Sequence, residues 1–171
     1  MIAVIGGYNG TTLTDIEVIS LVKNSVVLVN KDIPNLPKGL SGLRGTRLPT
    51  GDLLLCGGGK GPNESIPSNE YLLLQDGSEQ WKNVGTTKTA GIYRSSVFID
   101  GCLYTSGGYE NQPFLHQLYK NHEEFSFERG VNEKKEMPIP LYGHTATIFG
   151  HGKILIAGGC NMNVSKTIYK S

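Results

Sequence analysis

Asp100-Gly101-Cys102-Leu103-Tyr104-Thr105-Ser106-Gly107-Gly108-Tyr109 reads as a tight turn, a short apolar strand and a glycine pair. On either side the arrangement recurs, as Gly51-Asp52-Leu53-Leu54-Leu55-Cys56-Gly57-Gly58 and as Gly152-Lys153-Ile154-Leu155-Ile156-Ala157-Gly158-Gly159. Its second half opens the chain as Ile2-Ala3-Val4-Ile5-Gly6-Gly7. The leading glycines Gly6, Gly57, Gly107 and Gly158 stand 51, 50 and 51 residues apart. A period near 50 residues marks repeated sheet units that share one continuous core.

Four segments, A to D, can be read in each unit, and the units run over about residues 1–38, 39–88, 89–139 and 140–171. Strand A is expected at Leu43 to Leu48, Tyr93 to Ile99 and Gly143 to Phe149. Gly45, Ser95 and Ala146 form a column of small residues there, as an inner strand near a crowded axis needs. A glycine turn at Gly51, Gly101 or Gly152 leads into the apolar strand B. Strand C is expected at Asp15 to Ile19, Glu70 to Leu74, His116 to Tyr119 and Lys166 to Tyr169. Strand D is expected at Val26 to Val29, Glu79 to Val84 and Phe125 to Glu128. Trp81 in the second D segment is expected to fill the gap between diverging outer strands.

Composition narrows the function classes. Lys and Arg number 16 against 15 Asp and Glu, so no global field draws nucleic acid or an anionic membrane. No apolar run approaches the roughly 20 residues of a spanning helix. The mixed-sign stretch Glu128 to Glu136 reads as a solvated loop between strand D and the next strand A. Cys56, Cys102 and Cys160 fall at different points of the repeat, which fits neither a disulfide framework nor a zinc spacing and points to a reducing, cytoplasmic setting. Asn9-Gly10-Thr11, Asn63-Glu64-Ser65 and Asn163-Val164-Ser165 match the glycosylation pattern, against about two expected by chance.

With four glycine pairs at this period, an apolar residue at Leu74 and a tryptophan at Trp81, the whole chain resembles kelch repeats. The resemblance implies an all-β kelch-type β-propeller, here an incomplete ring of about four blades of four-stranded antiparallel sheets. Gly6, Gly7, Gly57, Gly58, Gly107, Gly108, Gly158 and Gly159 would be structural. The unit count begins with B-C-D and ends with A-B-C. The chain is therefore expected to be a piece of a larger propeller or adaptor, with self-association through its open sheet edges.

In a propeller the residues after each glycine pair and those leading into strand A share one face. That face would hold Tyr8, Asn9, Arg44, Tyr93, Arg94, Tyr109, Glu110, Asn111, Tyr142, His144 and Asn161. Tyrosine and arginine are enriched where proteins meet proteins, and kelch proteins commonly read a peptide or protein partner with this face. The expected function is a non-catalytic interaction module, with no cofactor, no metal, no nucleic acid and no membrane. His116, His122, His144 and His151 are spread over different strands and turns, so no histidine metal site is expected. The alternative that the resemblance implies is a propeller enzyme. Tyr142, His144 and Cys160 would serve a galactose-oxidase-like copper site, and Arg44, Arg94 and Glu110 a sialic-acid mutarotase.

Overall fold

A computed structural model describes residues 2–22, 25–29, 33–59, 67–112, 115–150, 152–161 and 168–170. The first sheet joins β1 (Ile2–Ile5), β2 (Ile16–Val22) and β3 (Ser25–Val29). The second joins β4 (Arg44–Arg47), β5 (Leu53–Cys56), β6 (Glu70–Leu74) and β7 (Lys82–Thr86). Next come β8 (Ser95–Ile99) and β9 (Cys102–Ser106), then β10 (Tyr109–Gln112) and β11 (Leu115–Leu118), which pair only with each other, then β12 (His122–Ser126) and β13 (Gly130–Glu133). β8, β9, β12 and β13 make the third sheet, and β14 (Thr145–Ile148), β15 (Ile154–Ala157) and β16 (Ile168–Lys170) the fourth. All pairings are antiparallel, and each of the four larger sheets is one blade. β4 and β14 flank β8, which sets the inner strands side by side around an axis.

Period-2 alternation sends each strand's side chains to two blade interfaces. Leu55 and Leu72 face the first blade, where they meet Leu36, Leu40, Ile5 and Ile16. Their neighbours Leu54, Cys56, Tyr71 and Leu73 face the third blade and meet Leu103 and Phe125. Tyr71 stacks on Phe125 with ring centroids 4.3 Å apart. Between the third and fourth blades lie Met137, Leu141, Ile154 and Ile156, packed against Val97, Ile99 and Tyr104. Trp81, just ahead of β7, packs into the interface of the first two blades, and its indole N–H donates to the Pro34 carbonyl at 3.0 Å.

The glycine pair is a clasp between blades. The second glycine donates to a carbonyl leading into the next blade: Gly7 to Leu40 at 2.9 Å, Gly58 to Gly91 at 3.4 Å and Gly108 to Leu141 at 2.8 Å. The first glycine lies so near that carbonyl that a Cβ on Gly107 would stand 2.3 Å from the Leu141 oxygen. Gly107 also sits at φ +59, which a side chain resists. At Gly158, with no described blade beyond it, nothing lies within 4 Å of the same Cβ position.

Several sequence expectations shift in register. In the third blade strand C is β12, not His116 to Tyr119, and strand D is β13, not Phe125 to Glu128. The β10–β11 hairpin is inserted between β9 and β12, so a fixed spacing from the glycine pair lands on the wrong segment. β12 also carries Glu123 and Glu124 in buried positions, which disguises it as a polar turn. Accordingly the charged stretch from Glu128 is not one loop but a turn followed by β13. In the small-residue column, Gly45 faces Leu55, Ala146 faces Ile156, and the third member is Ser96, facing Thr105, rather than Ser95. Two adjacent serines gave the sequence no way to choose. The triplets at Asn63 and Asn163, His151, and Lys166-Thr167 of the last expected strand C lie outside the described residues.

Candidate functional site

Three backbone positions encircle the axis on the loop face: Gly42, Tyr93 and Gly143, each two residues before its inner strand begins or, for Gly143, before Thr145. Tyr93 N–H donates to the Gly42 carbonyl and Gly143 N–H to the Tyr93 carbonyl, both at 2.9 Å. All three have positive φ, at +63, +56 and +64. Two are glycines, for which this conformation is free of Cβ conflict. The tyrosine holds it against its own preference.

The Tyr93 side chain, 43% exposed, lies against Gly42 on one side and faces Tyr142 on the other, with ring centroids 6.4 Å apart. Tyr142 in turn faces Tyr109 at 5.5 Å. Tyr109 is placed by a two-way backbone bridge to Ile92, and Tyr142 by the matching bridge to Cys160. Three tyrosines from two blades thus form one cluster at the seam between the third and fourth blades. Beside it, the Cys160 thiol pushes the Tyr142 phenol above its usual range, with burial and a hydrogen bond to that thiol acting in the same direction.

The remaining expected residues divide by position. Tyr8 and Asn9 are exposed on the first blade, where Tyr8 bridges Thr12. Arg44 reaches across to the third blade, its Nε donating to the Arg94 carbonyl at 2.7 Å. Glu110 accepts a hydrogen bond from the Tyr119 hydroxyl. Asn111 belongs to β10, opposite His116, and Asn161 follows the Tyr142–Cys160 bridge.

Arg94 and His144 require correction, because the structure turns both inward. Arg94 is 1% exposed and His144 fully buried. Arg94 Nη1 donates to the Thr89 carbonyl at 2.6 Å, and Nη2 lies 3.5 Å from Glu123 Oε1. His144 shares a 2.7 Å hydrogen bond with the Ser95 hydroxyl through Nε2. Burial first, then the charges of Arg44 and Arg94, lower its pKa to about 4. Both residues lead into an inner strand whose column points into a blade interface rather than out of the loops.

Sequence reasoning missed Glu123. Its carboxylate accepts the Thr89 N–H at 3.1 Å and is the counter-charge of Arg94. The column was the only available signal: Thr105 pairs with both Ser96 and Glu123, as Leu55 pairs with Gly45 and Leu72. A second carboxylate, Glu124, is held below its usual range chiefly by Lys134 at 2.8 Å, with help from Tyr104 and Arg129.

These positions bear on the catalytic alternative. Tyr142 and Cys160 adjoin each other, but the His144 ring is engaged inside by Ser95. Among the described residues no three His, Cys, Asp or Glu side chains are grouped to hold a metal. Arg94 is occupied by Glu123 and Glu110 by Tyr119, so the residues of the mutarotase alternative are committed to separate partners. A cavity of about 700 Å³ opens on the opposite side, between the first two blades, bounded by Ala3, Ile5, Val18, Leu53, Leu74 and Asp76.

A ring segment of antiparallel blades, clasped by glycine pairs and bearing its loop residues around the axis, defines a β-propeller. The solved structure of YjhT superposes with a TM-score of 0.63 at 20% identity, covering 78% of this chain and 38% of that one. Kelch-like protein 33 of Homo sapiens is 28% identical over 109 residues, which is 64% of this chain and 20% of that protein. The chain thus matches about a fifth of that relative's length. No protein-family model matches the chain. The repeat, the fold and these likenesses are those of a kelch-type β-propeller, of which the described residues form an incomplete ring.

Proposed function

We propose that the protein is a non-catalytic module that binds a protein or peptide partner through the tyrosine cluster at the third and fourth blades. The observation that carries this reading is Tyr93, a half-exposed aromatic held at φ +56 where the neighbouring repeats have glycine. Backbone strain that the fold does not need gathers at functional positions. Tyrosine adds a large, rigid contact area with a polar tip, suited to a partner's surface. The likeness to a Kelch-like protein favours the same class. A net charge of +1 gives no support to nucleic-acid binding. Among the described residues no helix is long and apolar enough to cross a membrane. Cys56 and Cys102 are unpaired and buried, and burial pushes the Cys56 thiol up to about 11, which fits a reducing compartment.

The test is affinity capture from the protein's own cells, with three proteins compared in parallel. The wild type and an Asp76→Ala variant, altered on the opposite side, should retain the same specific partner. The double variant Tyr93→Ala, Tyr109→Ala should lose it. Normal capture by the double variant would show that this face is not the binding surface.

A further inference from the structure

Asn9-Gly10-Thr11 makes the tip of the connection between β1 and β2 on the loop face, and of the chain's asparagines only Asn9 precedes a glycine. Tyr8 and Thr12 bridge beneath it and close the loop, whose residues are all exposed. Asn9 Oδ1 accepts from the Thr11 N–H and from the Thr11 hydroxyl, both at 3.5 Å, while the Asn9 N–H donates to the Thr11 carbonyl at 3.1 Å. A side chain folded back in this way lays its Cγ alongside the intervening nitrogen, that of Gly10. The two donors also sit where negative charge develops if Cγ is attacked.

Gly10 is unencumbered. Its N–H donates to no group among the described residues, and nothing lies within 4 Å of the place a Cβ would take. Asn83 provides the contrast. Its Oδ1 likewise accepts an N–H two residues on, from Gly85 at 3.0 Å, but the β-branched Val84 stands between them and Glu70 holds the Asn83 Nδ2 at 3.1 Å.

We propose that Asn9 is a self-modification site, at which the Gly10 nitrogen converts the asparagine into aspartate and isoaspartate with water as the co-reactant. The Gly10 nitrogen gives its proton to hydroxide and attacks Asn9 Cγ; a C–N bond forms, the Cγ–Nδ2 bond breaks, and the amide leaves as ammonia. Water then opens the cyclic imide. Entry at Cγ gives an aspartate with the ordinary backbone, and entry at the Asn9 main-chain carbonyl gives isoaspartate, whose backbone runs through Cβ. Nothing is oxidised or reduced: a water enters, an ammonia leaves, and a carboxylate is created on the loop face. In the isoaspartate form the loop gains a backbone atom. Thr12 is packed against Gly39, where a Cβ would stand 2.5 Å from the Thr12 carbonyl oxygen, so the displacement falls on the exposed Tyr8.

The test incubates the intact protein at mildly alkaline pH and follows its tryptic peptide of residues 1–23 by mass spectrometry, beside a synthetic peptide of residues 5–15. The protein's peptide should gain one dalton and split into two chromatographic species, one of them a substrate for protein-isoaspartate methyltransferase, at least as fast as the free peptide does. Raising the pH by one unit should speed conversion by up to about tenfold, since the attacking nitrogen must first lose its proton. Asn9→Gln should lose the change, and Thr11→Val, which removes one donor to Oδ1, should slow it several-fold. The peptide that holds Asn83 should keep its mass throughout. Slower conversion in the folded protein than in the free peptide would show that the fold suppresses the reaction and would overturn the proposal. A sugar mass on this peptide in protein from its own cells would do the same, by assigning the triplet to glycosylation.

Discussion

The Arg94 guanidinium lies 3.5 Å from the Glu123 carboxylate with both side chains 1% exposed or less, at a place where the preceding interface joins leucine to leucine. The two interfaces solve one packing problem with opposite chemistry. A buried ion pair gains little over a well-packed apolar pair, but leaving one charge alone is expensive. Arg94→Leu and Glu123→Leu should therefore each cost about 3–5 kcal/mol, and the double variant should lie within about 1 kcal/mol of wild type. Urea unfolding of all four proteins measures the cycle. Additive losses would mean that the charges are not energetically coupled.

His144 supplies a pH signature. Its folded pKa of about 4 lies below its ordinary 6.5, so between these values the unfolded chain takes up a proton that the folded protein refuses. Stability should accordingly fall as pH drops from about 6.5 to about 4, by up to about 3 kcal/mol, and this term should be flat above that window. Glu124, held below its usual 4.5, begins to withdraw its own contribution once pH falls below that value, at the acid end of this window. In His144→Gln the slope between pH 6.5 and 4 should shrink, leaving the share of His122, whose pKa burial also lowers. A slope of unchanged size in that variant would assign it to other groups.

The glycine pairs made the blade repeat legible because their requirement is local, a carbonyl from the next blade pressed where a Cβ would be. The apolar run of β5 was legible for the same reason, being buried on both faces. The third blade was not, because its outer strands are held by charges whose partners come from elsewhere: Glu123 from Arg94, Glu124 from Lys134 and Arg129. Such pairs leave no apolar periodicity to read. The same cause misplaced Arg94 and His144, which look like display residues until their columns are known. Tyr93 was named from its loop, but its strain depends on a backbone angle that a single residue type does not announce.

Gly107 and Gly158 occupy one column and should behave differently. Both have positive φ, at +59 and +69, so alanine brings a backbone penalty of about 1 kcal/mol at either place. Only at Gly107 would the added Cβ also collide with the Leu141 carbonyl and the His144 ring. Gly158→Ala should lose about 1 kcal/mol and Gly107→Ala more than about 3 kcal/mol. Equal losses in thermal unfolding would show that the clasp between blades, as distinct from the turn, contributes nothing.

Tyr93 sets stability against binding. Its φ of +56 costs about 1 kcal/mol that glycine would not incur, while its ring is 43% exposed and contributes little burial. Tyr93→Gly should therefore stabilise the fold by about 0.5–1 kcal/mol. Tyr93→Ala keeps the strain and loses the ring's contact with Gly42 and Tyr142, so it should fall below wild type. Partner capture should be lost in both. This ordering separates a binding residue from a structural one, because a residue kept for stability would make the glycine variant the weaker protein. Urea midpoints placing Tyr93→Gly below Tyr93→Ala would remove the strain argument and, with it, the main reason for assigning the partner to this face.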